Sequence, residues 1–235
     1  MRVVLAPASF GALGPALAAD AMAAGVRQVA PATDLIGCPI SDGGYGMADA
    51  VRAARGGDVL TAPGLSGRVL LAGDTAYVEA GSSGSRGWAA ASADAGTDST
   101  YDLGLLIRRA LDAPVRRIVI GLARDDTFDG GAGLLQALGA VLHGPTGPLS
   151  PGVSGAELLQ VQSVDLSGLE GRLAGVLFAA AAPPVGLLGL SGAAVRYGST
   201  RPQADVQLLD RALGHWAGIL AAAVPVAAAA RAATG

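Results

Sequence analysis

The chain of 235 residues is long enough for one large α/β domain or two small ones, and it can bury a sizeable core. Hydrophobic residues make up 51% of it but aromatic residues only 4%, so that core must consist mainly of alanine, leucine and valine. All 16 basic residues are arginines and the formal net charge is −3, which argues against a nucleic-acid partner and leaves no lysine amine for catalysis.

The first part of the chain alternates between predicted strands and helices. Apolar runs at residues 2–6 and 35–40 predict two buried strands, and residues 15–29, closed by Pro31, predict a helix. The second strand leads into Ser-Asp-Gly-Gly-Tyr-Gly at 41–46 and then a helix through Ala54. Asp42 in that turn is either a substrate-orienting or metal-linked carboxylate or simply a turn residue before glycines, and the sequence leaves both open.

A change of composition near residue 58 predicts a second subdomain. Short alternating runs at 59–62, 69–72 and 76–80 are separated by Gly, Pro and Asp, which is typical of antiparallel strands. A helix with one apolar face is expected from residues 99–101 onward. We therefore predict three segments: the first part of the α/β domain at 1–57, the second subdomain at 58–200, and a C-terminal helix and tail at 201–235.

The most informative stretch runs from residue 115 to residue 140. A β-branched run at 118–120 predicts a buried strand, and Gly-Gly-Ala-Gly at 130–133 opens an apolar helical pattern. A loop at the carboxyl end of a strand, followed by a helix start with unpaired N–H groups, predicts an anion site. Asp129, immediately before the glycines, could hold a cation or accept a proton.

The remainder contains a Gly/Pro loop at 143–152, an uncharged stretch at 173–195 and an amphipathic helix over 206–220. The uncharged stretch is long enough to cross a bilayer, but Pro183 and Pro184 favour a buried strand followed by a loop, so no membrane span is expected. Residues 1–19 resemble a signal peptide interrupted by Pro7 and Gly11. The single cysteine, Cys38, fits a reducing compartment, and we predict a cytoplasmic protein.

Residues 127–139, TFDGGAGLLQALG, resemble the signature GIGGSATNDGGAGMLQALG of the bacterial glycerate kinase family. Residues 41–46 are similar to the family's ADGGEG, with Tyr45 in place of glutamate, and residues 165–176 are similar to IDLSGLDPRLAGV. The resemblance runs in order along nearly the whole chain. It implies an α/β fold: a parallel Rossmann/flavodoxin-like sheet with flanking helices and a smaller inserted α+β subdomain, truncated at the C-terminus.

The residues of this chain and the family resemblance together suggest a set of site residues, with ATP and Mg²⁺ as cofactors if the family's activity is retained and a small anionic metabolite as ligand. Three aspartates are the catalytic candidates: Asp42, Asp126 and Asp129. Asp42 and Asp125 are the candidate metal ligands. The candidate phosphate or ligand contacts are Ser9, Gly43, Gly44, Gly130, Gly131, Arg124 and Arg201.

Two departures from the family pattern shape the functional hypotheses. The family's Gly-Gly-Ser-Ala is Ala-Arg-Asp-Asp at 123–126, and its acidic CDVDNPLLG aligns with residues 181–189, which contain no acid. The first hypothesis is a glycerate-kinase-like pseudoenzyme in which ATP-dependent phosphorylation is weak or lost, leaving small-anion or protein-partner binding. The alternatives are a working glycerate kinase, or a repurposed enzyme using the Asp-rich loop for acid/base chemistry. A homodimer or a partner subunit is expected to cover an open sheet edge.

Overall fold

The computed structural model describes residues 1–10, 13–60, 62–65, 67–81, 98–122, 127–181, 184–198 and 201–224. The chain divides into two units by its internal contacts. Unit 1 contains residues 1–90, 109–125 and 174–183, and unit 2 contains residues 91–108, 126–173 and 184–235. These units are not the three predicted segments, whose boundaries stay a prediction.

Unit 1 begins with the predicted strand–helix–strand arrangement. Strand β1 (Arg2–Leu5) lies parallel to β2 (Asp34–Gly37), with Val3 opposite Leu35, and helix α1 (Pro15–Val29) connects them. Pro15 occupies the first helical turn, where its missing N–H costs nothing. Helix α2 (Met47–Arg55) follows the turn at 41–46.

A five-stranded sheet completes unit 1, in the order β10-β6-β5-β4-β3. The expected antiparallel strands are confirmed, because β4 pairs antiparallel with both β3 and β5. Strands β5, β6 and β10 run parallel to one another, which confirms the α/β class. The strands are β3 (Asp58–Leu60), β4 (Gly67–Ala72), β5 (Thr75–Ala80), β6 (Arg117–Gly121) and β10 (Leu177–Ala181). Val69, Val78 and Ile118 are fully buried in this sheet.

The predicted strand within 173–195 exists as β10, but the expectation that it is buried is wrong. Leu177 is 64% exposed and Phe178 is 44% exposed. The reason is topological: β10 pairs with β6 on one side and is the edge strand of the described sheet. No helix within the described ranges is long and apolar enough to span a membrane.

Unit 2 is built mainly around the last helix, α6 (Gln203–Ala223). Leu209, Leu213 and Trp216 on this helix are buried, which confirms the predicted amphipathic face. They pack in one core with Phe128 and Leu158. The other helices are α3 (Tyr101–Ala110), whose last two residues belong to unit 1, α4 (Ala132–Ala137) and α5 (Ala193–Tyr197). Strands β7 (Val141–Gly144), β8 (Gly147–Pro148) and β9 (Ser163–Asp165) form an antiparallel sheet, and 3₁₀ helices cover Gly155–Gln160 and Gly171–Leu173.

Candidate functional site

The first candidate site in unit 1 is the loop at residues 41–46, called here the 41–46 loop. Asp42 is exposed, and its Oδ1 accepts a hydrogen bond from the Gly44 N–H at 3.0 Å, forming an Asx-type turn. The Ser9 hydroxyl donates to the Tyr45 carbonyl, which ties the loop after β1 to the loop after β2. The two roles considered for Asp42, as a turn residue and as a functional carboxylate, are therefore compatible. Asp42 shapes the turn and still presents a carboxylate to solvent.

The glycines of the 41–46 loop allow it to lie against two strand ends. Gly43 has a φ of 94°, and a Cβ added to it would lie 2.4 Å from the carbonyl oxygen of Ala181 at the end of β10. A Cβ added to Gly121, at the end of β6, would lie 2.2 Å from the Gly43 carbonyl oxygen. The loop therefore sits at the carboxyl edge of parallel strands, where open α/β sheets bind their ligands.

Two clefts in unit 1 flank the 41–46 loop. One, of about 420 Å³, is lined by Tyr45, Asp49 and Arg52 together with the first turn of α1. The other, of about 300 Å³, is lined by Ser41, Gly43 and residues of α2 and the sheet. Each cleft has room for a small ligand beside the 41–46 loop.

A partly buried ionic network supports this loop, and the sequence analysis did not identify it. Glu79 on β5 is only 4% exposed, and Arg68 on β4 binds it through Nη2 at 2.9 Å. Arg68 also binds Asp49 of α2 at 3.0 Å. Burial works to lower the pKa of Arg68, but the hydrogen bonds with Glu79 and Asp49 outweigh it, so the pKa is raised and the guanidinium stays charged. The antiparallel register, which places Arg68 opposite Glu79, was the available signal.

In unit 2, Asp129 is buried, with 1% of its surface exposed, and both of its carboxylate oxygens accept hydrogen bonds. Oδ2 accepts from the Thr100 N–H at 2.8 Å, the Thr100 hydroxyl at 2.7 Å and the Gly133 N–H at 3.1 Å. Oδ1 accepts from the Gly131 N–H at 3.0 Å. Asp129 therefore fixes the glycine-rich turn to the start of α3, and its predicted catalytic role stays a prediction.

The N–H groups at the start of α4 are also engaged within unit 2. Besides the two N–H groups bound by Asp129, the Leu134 N–H donates to the Thr100 hydroxyl at 2.9 Å. The Ala132 N–H donates to the Asp129 carbonyl at 3.0 Å. The Trp216 indole N–H donates to the Gly130 carbonyl, also at 3.0 Å. These N–H groups of the glycine turn thus already donate to protein oxygens, whereas the sequence predicted that they would be open to bind an anion.

Arg201 is the predicted ligand contact that the structure brings to this turn. Its guanidinium carbon lies 5.6 Å from the centre of the Phe128 ring, a cation–π distance. Phe128 is 3% exposed and immediately precedes Asp129, whereas Arg201 is half-buried. The charge of Arg201 is therefore held beside the glycine-rich turn. Arg124, Asp125 and Asp126 lie outside the described residues.

Comparisons with known proteins place this geometry in a family. The glycerate kinase family model matches residues 3–235. The chain belongs to the glycerate kinase family. It is 32% identical to the glycerate 2-kinase of Escherichia coli K12 over 96% of this chain and 63% of that protein. It is 35% identical to the glycerate kinase of Bacillus subtilis 168 over 92% of this chain and 60% of that protein.

A solved structure agrees with the assignment to the glycerate kinase family. A crystal structure from Salmonella typhimurium LT2, assigned to the glycerate kinase 2 type, matches with a TM-score of 0.72 and 31% sequence identity. The match covers 94% of this chain and 63% of the Salmonella protein chain. The chain thus spans less than two thirds of the length of these glycerate kinase relatives.

Proposed function

We propose that this chain phosphorylates glycerate, or a closely related small hydroxy acid, with ATP. The observation that carries the proposal is the 41–46 loop, in which Asp42 presents an exposed carboxylate at the carboxyl edge of the parallel strands. Family membership supports the same reaction, because the relatives compared above are named glycerate kinases.

The residues of unit 1 fit a substrate and metal role. Mg²⁺ in phosphoryl-transfer sites is commonly held by one or two carboxylates together with substrate phosphates, so one exposed aspartate is a sufficient protein ligand. Asp42 meets that requirement, and the described ranges contain no group of three or more acidic, His or Cys residues that could form an all-protein metal cage. Magnesium would supply charge neutralisation at the transferred phosphoryl group. Ser9, Gly43 and Gly44 shape the loop around the acid substrate.

In unit 2, Arg201 is the proposed phosphate contact. A guanidinium presents several N–H donors in a planar arrangement that matches the oxygens of a phosphate group. Packing on Phe128 limits the positions that the guanidinium can adopt, which reduces the entropy lost when it binds a phosphate. Asp129, with its oxygens occupied, keeps the turn in place and does not itself accept the substrate proton in this proposal.

The test is steady-state ADP formation with ATP, Mg²⁺ and glycerate. Wild-type protein should turn over only when glycerate is present, and Asp42→Ala should lower kcat/KM about 100-fold because a transition-state contact is removed. Asp58→Ala is the matched control, since Asp58 is an exposed aspartate at the far edge strand β3. Glycerate-independent ADP formation, or equal losses in both variants, would count against the proposal.

The second candidate function is binding of glycerate in unit 1 without phosphoryl transfer. It is favoured by the engaged N–H groups of α4 in unit 2, which leave fewer open donors for the phosphates of ATP than a phosphate-binding turn would present. Calorimetric titration with glycerate in the absence of ATP tests it: binding with no phosphoryl transfer on adding Mg-ATP supports this candidate. Transfer to glycerate eliminates it.

A further inference from the structure

We propose that Glu79 is a positioning residue for the 41–46 loop, acting through the first turn of helix α2. The inference rests on the proposed function, because it assigns the loop's geometry to substrate binding. Helix α2 begins at Met47, and Gly46 in the preceding N-cap position has no side chain with which to cap it. Helices normally satisfy their first N–H groups with a Ser, Thr, Asp or Asn side chain at that position.

The missing cap of α2 is supplied from a neighbouring strand. Glu79 Oε1 accepts from the Gly46 N–H at 3.2 Å, and Oε2 accepts from the Ala48 N–H at 2.8 Å. A carboxylate at this end of a helix also interacts favourably with the positive end of the helix dipole. Because Glu79 belongs to β5, these two bonds fix the start of α2 to the sheet.

Arg68 fixes the carboxylate that makes these bonds. Its Nη2 lies 2.9 Å from Oε1 and 3.2 Å from Oε2 of Glu79, while its Nη1 and Nη2 bind the two oxygens of Asp49 at 3.0 and 3.1 Å. Asp49 is in the first turn of α2. The guanidinium therefore joins two carboxylates, one from the sheet and one from the helix, and holds both in place.

Only a short segment of backbone connects Gly46, which Glu79 holds, to Asp42. Gly46 has a φ of 87°, the Met47 N–H donates to the Gly44 carbonyl at 3.1 Å, and the Gly44 N–H binds Asp42. A shift at the Gly46 end of the loop is therefore passed to the Asp42 turn over four residues. Misplacing a reacting group by about 1 Å can cost about 100-fold in rate.

Glu79→Gln tests the proposal with little change in shape. The amide NH₂ replaces one oxygen and faces a backbone N–H, so at least one cap bond is lost. We expect amide hydrogen exchange at Gly46 and Ala48, measured by NMR, to accelerate at least about 10-fold while exchange in α6 is unchanged. For active protein, kcat per folded molecule should fall roughly 10- to 100-fold with the KM for ATP little changed.

Glu157→Gln is the matched control. Glu157 accepts from the Ser154 N–H at 3.0 Å and the Ser154 hydroxyl at 2.7 Å, a capping box at a 3₁₀ helix of unit 2. This substitution removes a carboxylate cap of the same chemistry in unit 2, whereas the 41–46 loop belongs to unit 1, and kcat should stay near the wild-type value. Arg68→Lys is the second variant, needed if Glu79→Gln does not fold. Lysine keeps the positive charge but lacks the planar guanidinium that binds both carboxylates. The variant should therefore show a smaller acceleration of exchange and a smaller loss of kcat than Glu79→Gln.

The outcomes separate this inference from the proposed function. Unchanged exchange at Gly46 and Ala48 in Glu79→Gln, or acceleration spread evenly over the protein, overturns the positioning role. Equal kcat losses in Glu79→Gln and Glu157→Gln also overturn it. Inactive wild-type protein overturns the proposed function, and the exchange measurement then still decides whether Glu79 holds the loop.

Discussion

Asp129 illustrates how far a motif residue's role depends on contacts that its sequence position does not reveal. Its place before the glycines suggested a free carboxylate, but the structure surrounds it with Thr100, Gly131 and Gly133 donors. Asp42, by contrast, is exposed and has one oxygen engaged in a local turn. The sequence could identify both aspartates as special, whereas only the distant partner Thr100 distinguishes a structural carboxylate from an available one.

Asp129→Asn should destabilise the protein by about 3 kcal/mol, because an amide NH₂ then faces backbone donors in a buried site. Urea unfolding followed by tryptophan fluorescence measures the change. Asp210→Asn is the control: Asp210 is half-buried and accepts a hydrogen bond from the Gly189 N–H at 2.9 Å. Its cost should be at most about 1 kcal/mol. Equal stability of wild type and Asp129→Asn would contradict the structural role.

At the level of elements, local signals predicted some features well and others poorly. Helix α1 has the predicted bounds, because the prolines that mark its two ends act on the local backbone. The antiparallel pairing of β3, β4 and β5 follows from the alternation of apolar residues and the short turns between the strands. The predicted loop at 143–152 instead contains the end of β7 and strand β8. The exposure of β10 and the capping of α2 by Glu79 depend on the order of strands in the sheet. A short segment of sequence carries no information about that order.

A short 3₁₀ element provides a pH-dependent prediction. Hydrogen bonds from the Arg172 side chain and then its backbone N–H lower the pKa of Glu170 from its usual 4.5 to about 2. Because the pKa of Glu170 is lower in the folded protein than in the unfolded chain, the ionised carboxylate stabilises the fold at pH values above 4.5. That stability is lost as the pH falls from 4.5 towards 2. Glu170→Gln should remove this component, so thermal midpoints of wild type and variant should converge on acidification. A constant difference across that window would contradict the pairing.

For the whole molecule, the exposed apolar side chains of β10 predict self-association. Leu177 and Phe178 lie on an edge strand without a charge or proline to block further pairing. Sedimentation velocity over a micromolar concentration series should show a dimer, weakened when both residues are replaced by Gln. Leu190→Gln is the control, because Leu190 is 94% exposed in unit 2. A wild-type monomer at every concentration would contradict the prediction.

Transfer of a phosphoryl group to glycerate is the central reaction proposed for this chain. Phosphorus NMR of wild-type protein with ATP, Mg²⁺ and glycerate tests it directly, because phosphate monoester, ADP and inorganic phosphate give separate signals. We predict phosphoglycerate and ADP in equal amounts, with no product from Asp42→Ala on the same time scale. ADP accompanied only by inorganic phosphate, or an unchanged ATP spectrum, would contradict the account.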